Sequence, residues 1–276
     1  MITSIKQRLP TRITDELYRL LHKPYFKVRS FAKYGSTDMF EVIYLETITA
    51  CNRRCSYCPN SISEHGLISN TKRMSRDLFC KIIDELSARR WKGDIQPHFY
   101  GEPLLDERLV EWVQYAKGKL PSSGISIFSN GDLLTVGLYK ELIKAGVARF
   151  IITQHSAEKQ QNVEDVITYR AAHPEYVKFE YRRLNVIWNR GGAVNVLGAR
   201  QLVRCEVAPS TVGVDYQGNV LICCHDYYRS VKIGNLQAEQ LFDVWAKPVY
   251  RKLRSDLRRG KYAFDICKNC SVGNSK

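Results

Sequence analysis

No apolar run in this 276-residue sequence approaches the ~20 residues of a membrane span, so a transmembrane segment is not expected. The first residues, MITSIKQRLPTRITDELYRLL, lack the continuous apolar core of a secretory signal, and a cytoplasmic protein is expected. Neither an internal repeat nor a low-complexity linker is present. An even cysteine count is missing too. Nine cysteines cannot all pair, and in a reducing compartment clustered cysteines read first as metal or redox ligands. Acidic charge is in short supply, with 28 Asp and Glu against 42 Lys and Arg, for a net +14. The excess sits at the ends. Residues 1–34 carry eight basic against two acidic side chains and residues 191–276 carry thirteen against seven, while 35–190 are near balance at 21 against 19. Such charge can serve phosphate, nucleic acid or acidic lipid. No RNA-binding signature accompanies it. The favoured reading is therefore solubility, plus compensation for anionic clusters held by thiolates, with no specific nucleic-acid partner.

Hydrophobic residues make up 44% and charged residues 25%, which excludes general disorder. Ile13, Leu17, Leu20 and Leu21 give a short amphipathic helix before Pro24. Strand and helix signals then alternate. Strands are expected at 40–45, 95–100, 125–128, 150–153, 177–181 and 185–188. Helices are expected at 76–89, capped by Ser75, at 107–117, at 138–144 and at 163–172. This alternation implies βαβ units and a parallel sheet with chemistry at the strands' C-terminal ends. After Gly191-Gly192 the alternation stops. A hairpin at 211–223 and one helix at 238–258 precede the tail. The expected division is a basic extension over 1–39, an α/β core over 40–190 and a small hairpin-and-helix domain over 191–276.

Cys51, Cys55 and Cys58 form CxxxCxxC directly after the first strand. Three thiolates on so short a loop can converge on one cluster. A cubane 4Fe-4S cluster has four irons, so three cysteines would leave one iron open. A three-cysteine zinc site and a chance grouping are the alternatives. Cys205, Cys223, Cys267 and Cys270 make a second set of four, suited to zinc or to an iron–sulfur cluster. Cys224 should face away from Cys223 on a regular strand. It reads as a core residue, with a substitute ligand or hydrogen-atom donor as alternatives. Cys80 reads as a small buried hydrophobe.

CxxxCxYC after the first strand, Tyr100-Gly101-Glu102-Pro103 after the second and Ser129-Asn130-Gly131 after the third resemble, in this order, the motifs of the radical SAM superfamily. Tyr100 departs from the GGEP pattern, which has Gly there. The resemblance implies a partial (β/α)6 TIM-type barrel. Cys51, Cys55 and Cys58 would hold a 4Fe-4S cluster, and S-adenosylmethionine would bind its open iron. Reductive cleavage would give a 5′-deoxyadenosyl radical that abstracts a substrate hydrogen. Tyr57 would lie near the adenine, Gly101, Glu102 and Pro103 near the methionine end, and Ser129 and Asn130 at the ribose. The tail resembles a Twitch or SPASM domain. Cys205, Cys223, Cys267 and Cys270 would thus hold one auxiliary 4Fe-4S cluster with no open iron, suited to accepting an electron.

Polar residues near strand ends should face the reaction cavity. His155, Glu180 and Arg182 are the catalytic candidates, with His98, Gln154, Arg183 and Arg190 beside them; Arg182 and Arg183 can bind a carboxylate or phosphate. Enzymes with this combination act on aminocyclitols and sugars, nucleotides or ribosomal peptides. The expected activity is oxidation of a small polar, possibly anionic metabolite such as a carbohydrate or aminocyclitol. An external donor such as flavodoxin or ferredoxin would reduce the cluster. Peptide or protein maturation and a non-catalytic metal-bearing RNA-binding module are the alternatives.

Overall fold

The computed structural model describes residues 28, 30–173, 177–184 and 186–274. The chain divides into two units, 1–39 and 40–276. The amphipathic helix expected at 13–21 lies outside the described residues. Both sheets and all nine cysteines belong to the second unit.

Five parallel strands open it: β1 (Val42–Leu45), β2 (Asp94–Gln96), β3 (Gly124–Ser129), β4 (Arg149–Gln154) and β5 (Lys178–Arg183), paired in that order. Helices α1 (Arg76–Ala88), α2 (Leu109–Lys119), α3 (Val136–Ala145) and α4 (Gln161–Ala171) connect them. The starts and stops follow local chemistry. Ser75 Oγ accepts from Leu78 N at 3.3 Å to begin α1. Thr135 does the same for α3, which ends on Gly146 in the left-handed region, at φ +115°. Pro97 donates no hydrogen bond, so β2 stops at Gln96 rather than reaching Tyr100. α2 runs through Gly118 and stops at Leu120, before Pro121.

The outer face of the sheet packs against the helices. Ile43, Ile95, Ile127, Phe150 and Ile152 of the strands and Phe79, Ile82, Trp112, Tyr139 and Val163 of the helices are all nearly fully buried, and Phe150 packs on Tyr139. Each such side chain contributes about 1.5–3 kcal/mol relative to exposure.

Two expectations about topology change. The segment at 186–188 does not continue the barrel. It forms β6 (Val186–Trp188), which pairs antiparallel with the tail strand β11 (Ser271–Asn274), itself paired with β7 (Leu197–Gln201). The sixth parallel strand comes instead from the hairpin. β8 (Thr211–Val214) pairs parallel with β1, and β9 (Asn219–Leu221) and β10 (Lys232–Asn235) extend the sheet to the order β10-β9-β8-β1-β2-β3-β4-β5. The expected helix at 238–258 is two helices, α5 (Leu241–Ala246) and α6 (Pro248–Arg258). Pro248 forces Lys247 out of helical conformation, at φ −51°, ψ 131°.

Candidate active site

Within β4 and β5, side chains alternate between the helices and the opposite, inner face. Phe179 packs on Tyr139 of α3, which puts it on the helix side. Glu180 and Arg182, opposite Ile151 and Thr153, therefore face inward. They form an ion pair at 3.0 Å, with side chains about half exposed. Tyr44 of β1 meets His98 edge-on, with ring centroids 5.7 Å apart, and His98 packs at a tilt on Phe128 of β3, at 4.9 Å.

The first three cysteines lie on the loop after β1, each half-buried. Cys51 N donates to Gly66 O at 3.0 Å and Cys58 N to Cys55 O at 2.9 Å, which fixes the loop at two points. The thiols also receive backbone N–H groups: Arg53 N approaches Cys51 Sγ at 3.4 Å, and Asn60 N faces Cys58. Burial pushes the Cys51 thiol up to about 11 against that hydrogen bond.

The segment after β2 packs directly on this loop. Glu102 N donates to Ala50 O at 2.8 Å. A Cβ on Gly101 would stand 2.2 Å from Ile48 O, so only glycine fits. Pro103 opens a short turn of 3-10 helix capped by Glu102. Glu102 is buried and its carboxylate is fully engaged. Oε1 accepts from Ser129 Oγ at 2.6 Å and Leu104 N at 3.1 Å, and Oε2 from Asn130 N at 2.8 Å. Burial nonetheless raises its pKa to about 7. Ser129 Oγ also accepts from Gly131 N at 2.9 Å, and Asn130 Nδ2 donates to Asn52 Oδ1 at 2.8 Å. Glu102, Ser129 and Asn130 thus lock the ends of β2 and β3 to the cysteine loop.

Asp132 completes the lock and was not read from the sequence. It accepts from Arg53 at 2.6 and 2.5 Å, Asn52 at 2.7 Å and Gln160 at 2.5 Å. Burial opposes its ionisation, but these donors hold it below the usual carboxylate range. Its place directly after Ser129-Asn130-Gly131 was the available signal. His155, after β4, bonds Tyr57 Oη through Nδ1 and stacks on its ring. Burial, reinforced by Arg53, lowers it to about 4. Beside this pair a cavity of about 330 Å³ is lined by Ser56, Tyr57, Ser61, Ile187, Val194 and Asn195. Gln154 and Arg183 bond the backbone at 156–157, away from the inner face.

The second set of cysteines is gathered from three segments. Cys223 follows β9, Cys205 precedes β8, and Cys267 and Cys270 flank the end of α7 (Asp265–Lys268). Cys205 acts electrostatically on Cys223, Cys267 and Cys270. Burial and these like charges push Cys267 up to about 12 and Cys270 up to about 11. Backbone N–H groups of His225 and Gly191 point at Cys223 and Cys270. Cys224 faces the opposite way, bonding Tyr44 on the inner sheet face. It is half-buried rather than a core residue, as is Cys80. As placed, no three Cys, His or carboxylate side chains among the described residues close on one ion position. The donor chemistry, soft thiols met by backbone N–H groups, fits iron–sulfur clusters at both places.

One further network joins the two cysteine regions. Arg229 pairs with Glu46 after β1 at 2.7 Å and with Asp215 after β8 at 3.2 Å; both carboxylates are fully buried.

This architecture defines a radical SAM enzyme with an auxiliary iron–sulfur domain, and the chain belongs to the radical SAM superfamily. The superfamily's model matches residues 45–179, and that of SPASM, an iron–sulfur cluster-binding domain, matches 205–271. Among curated relatives, the S-adenosyl-L-methionine-dependent 2-deoxy-scyllo-inosamine dehydrogenase of Niallia circulans is 32% identical over 238 residues, 84% of this chain and 93% of that protein. The crystal structure of BtrN in complex with AdoMet and 2-DOIA superposes with a TM-score of 0.73 at 31% identity, covering 84% of this chain and 93% of that one. Native anSMEcpe with bound AdoMet shares the fold, with a TM-score of 0.53 at 12% identity over 83% of this chain and 88% of that one. The protein is thus a radical SAM oxidoreductase that uses S-adenosylmethionine, a 4Fe-4S cluster and an auxiliary iron–sulfur cluster. No described helix is long and apolar enough to cross a membrane.

Proposed function

We propose that the protein dehydrogenates a small polyhydroxylated substrate, a carbohydrate or aminocyclitol, converting a carbinol carbon to a carbonyl. The observation that carries this reading is a polar cluster, Tyr44, Tyr100, Arg190 and Cys224, that adjoins both sets of thiols. Arg190 acts electrostatically on Cys58 of one set and Cys223 of the other. The relative of 32% identity, which is an aminocyclitol dehydrogenase by its name, supports the substrate class.

Cys51, Cys55 and Cys58 would hold the first cluster, and Cys205, Cys223, Cys267 and Cys270 the auxiliary one. When bound, the cofactors supply hydrogen-atom abstraction from the carbinol carbon and an acceptor for the second electron. The chain does the rest. Gly101 lets the segment after β2 lie flat on the cysteine loop. Glu102 acts as a positioning residue, holding Ser129 and Asn130 at the ribose side. Tyr57, kept in place by His155, would border the adenine. Glu180, on the inner face and paired with Arg182, would take the hydroxyl proton. Loss of one hydrogen atom, one electron and one proton balances the change from alcohol to ketone. An external one-electron donor such as flavodoxin or ferredoxin is required.

The test is anaerobic reconstitution followed by reduction with dithionite in the presence of S-adenosylmethionine and a panel of sugars and aminocyclitols. A product lighter than its substrate by two hydrogens, formed with 5′-deoxyadenosine, is expected. Formation of 5′-deoxyadenosine with only isomerised or crosslinked products would refute dehydrogenation.

A further inference from the structure

Four buried polar atoms without a hydrogen-bond partner belong to Arg190 and to three side chains within reach of its charge: His98 Nδ1, Tyr100 Oη, Arg190 Nε and His225 Nδ1. The Arg190 guanidinium lies 5.6 Å from the centroid of the Tyr100 ring, and its charge acts on both His98 and His225. Tyr100 is 9% exposed and His225 is 7% exposed. Buried polar groups are nearly always satisfied, and an orphan costs about 1–3 kcal/mol. Four orphans about one guanidinium mark a place where a ligand can complete the bonding.

The charge of that ligand follows from the inventory. Arg190 is cationic at every physiological pH and presents donors only. No carboxylate among the described residues pairs with it. Arg190, alone of these four residues, also lines a cavity of about 360 Å³, a volume suited to a small metabolite. Two carboxylates line the same cavity, and both are already engaged. Asp226 accepts from Ser230 and from Val231 N at 2.8–2.9 Å, and Asp265 pairs with Lys268 at 2.8 Å. Arg190 holds a left-handed backbone at φ +55°, followed by Gly191 and Gly192 at +67° and +97°. Such a conformation costs a non-glycine residue about 1–3 kcal/mol and is retained where the surroundings impose it.

We infer that Arg190, flanked by His98, Tyr100 and His225, recognises an oxyanion on the substrate, a carboxylate or phosphate, so that the substrate is an acidic polyol and not an amine. The inference rests on the polar cluster assigned above. It also departs from that reading's aminocyclitol branch, because that cluster offers a cationic substituent no free carboxylate. A guanidinium binds carboxylate or phosphate through parallel hydrogen bonds, and the imidazoles and phenol can serve the remaining oxygens.

The experiment uses reconstituted holoenzyme with S-adenosylmethionine, left unreduced so that binding is read without turnover. Calorimetry compares matched probes: galacturonate, galactosamine, galactose and galactose 6-phosphate. At least one acid should bind about ten-fold or more tighter than both galactosamine and galactose, which corresponds to about 1.4 kcal/mol. The two acids separate carboxylate from phosphate. Arg190→Gln should bring acid and amine to within about two-fold, whereas Arg190→Lys should keep the order. Should Arg190→Gln fail to fold, the wild-type ranking and Arg190→Lys decide. The inference is overturned if galactosamine binds as tightly as the acids, or if neither acid binds at millimolar concentration. It is equally overturned if Arg190→Gln shifts a cluster potential but leaves the ranking intact, which would make Arg190 a counter-charge to the clusters. Failure of the dehydrogenase reading would appear elsewhere, as wild-type protein that makes no oxidised product from any substrate while still ranking these probes.

Discussion

The two thiol sites are built in opposite ways. Cys51, Cys55 and Cys58 fall within eight consecutive residues, on a loop pinned by Gly66 and Ala50 to its own surroundings. Cys205, Cys223, Cys267 and Cys270 can approach one another only after a hairpin has joined β1 and the tail has paired with β6. The first site is local and offers three thiols. The second is a product of tertiary structure and has a full set of four thiols. A cluster meant to bind substrate-like ligands needs an open coordination position, whereas one meant to move electrons or brace the fold does not.

The contrast can be broken most severely at the local site. Replacing Cys51, Cys55 and Cys58 together by Ala should abolish 5′-deoxyadenosine formation and remove about half of roughly eight irons per chain. Iron analysis and chromatography of the nucleoside check this, and full iron content would refute the assignment. The link between the sites comes next. Arg229→Ala leaves Glu46 and Asp215 buried without their cation, and should cost about 3–5 kcal/mol by urea denaturation. A loss under about 1 kcal/mol would mean the two sites are not joined through this network.

Between the sites, His98 is held down at about 4 by burial and then by Arg190. An unfolded histidine titrates near ~6.5. The folded state therefore stays neutral where the unfolded chain takes up a proton. Stability is full above ~6.5 and falls as pH drops towards about 4, by roughly 3 kcal/mol at most. The drop measured between about pH 7 and 5 should be smaller in His98→Phe; equal slopes would remove His98 from the account. An effect of similar size is expected from Gly101→Ala, where overpacking against Ile48 O should cost about 1–3 kcal/mol. That variant should weaken S-adenosylmethionine binding while leaving the auxiliary cluster's iron in place.

Legibility in the sequence divides along the same line. The cysteine loop, the Ser75 cap and the Gly146 stop depend on neighbours a few residues away, and they stand as expected. β6 and β8 do not, because a strand's partner is decided by residues far along the chain. Val186 meets Asn274, and Val42 meets Thr211. The segment at 186–188 looked like a sixth barrel strand by composition alone. Glu180 and Arg182 were legible as polar residues near a strand end, and their inward direction follows from the register of β4 and β5. The engagement of Glu102 by Ser129 and Asn130 was not, since it joins the ends of two different strands.

On this account, the site assembled from distant segments receives an electron and takes no part in cleaving S-adenosylmethionine. The most direct measurement is made on Cys267→Ala/Cys270→Ala, reconstituted and reduced, following 5′-deoxyadenosine and oxidised product together. The account predicts continued, slower formation of 5′-deoxyadenosine with no oxidised product. Oxidised product at the wild-type rate would contradict it.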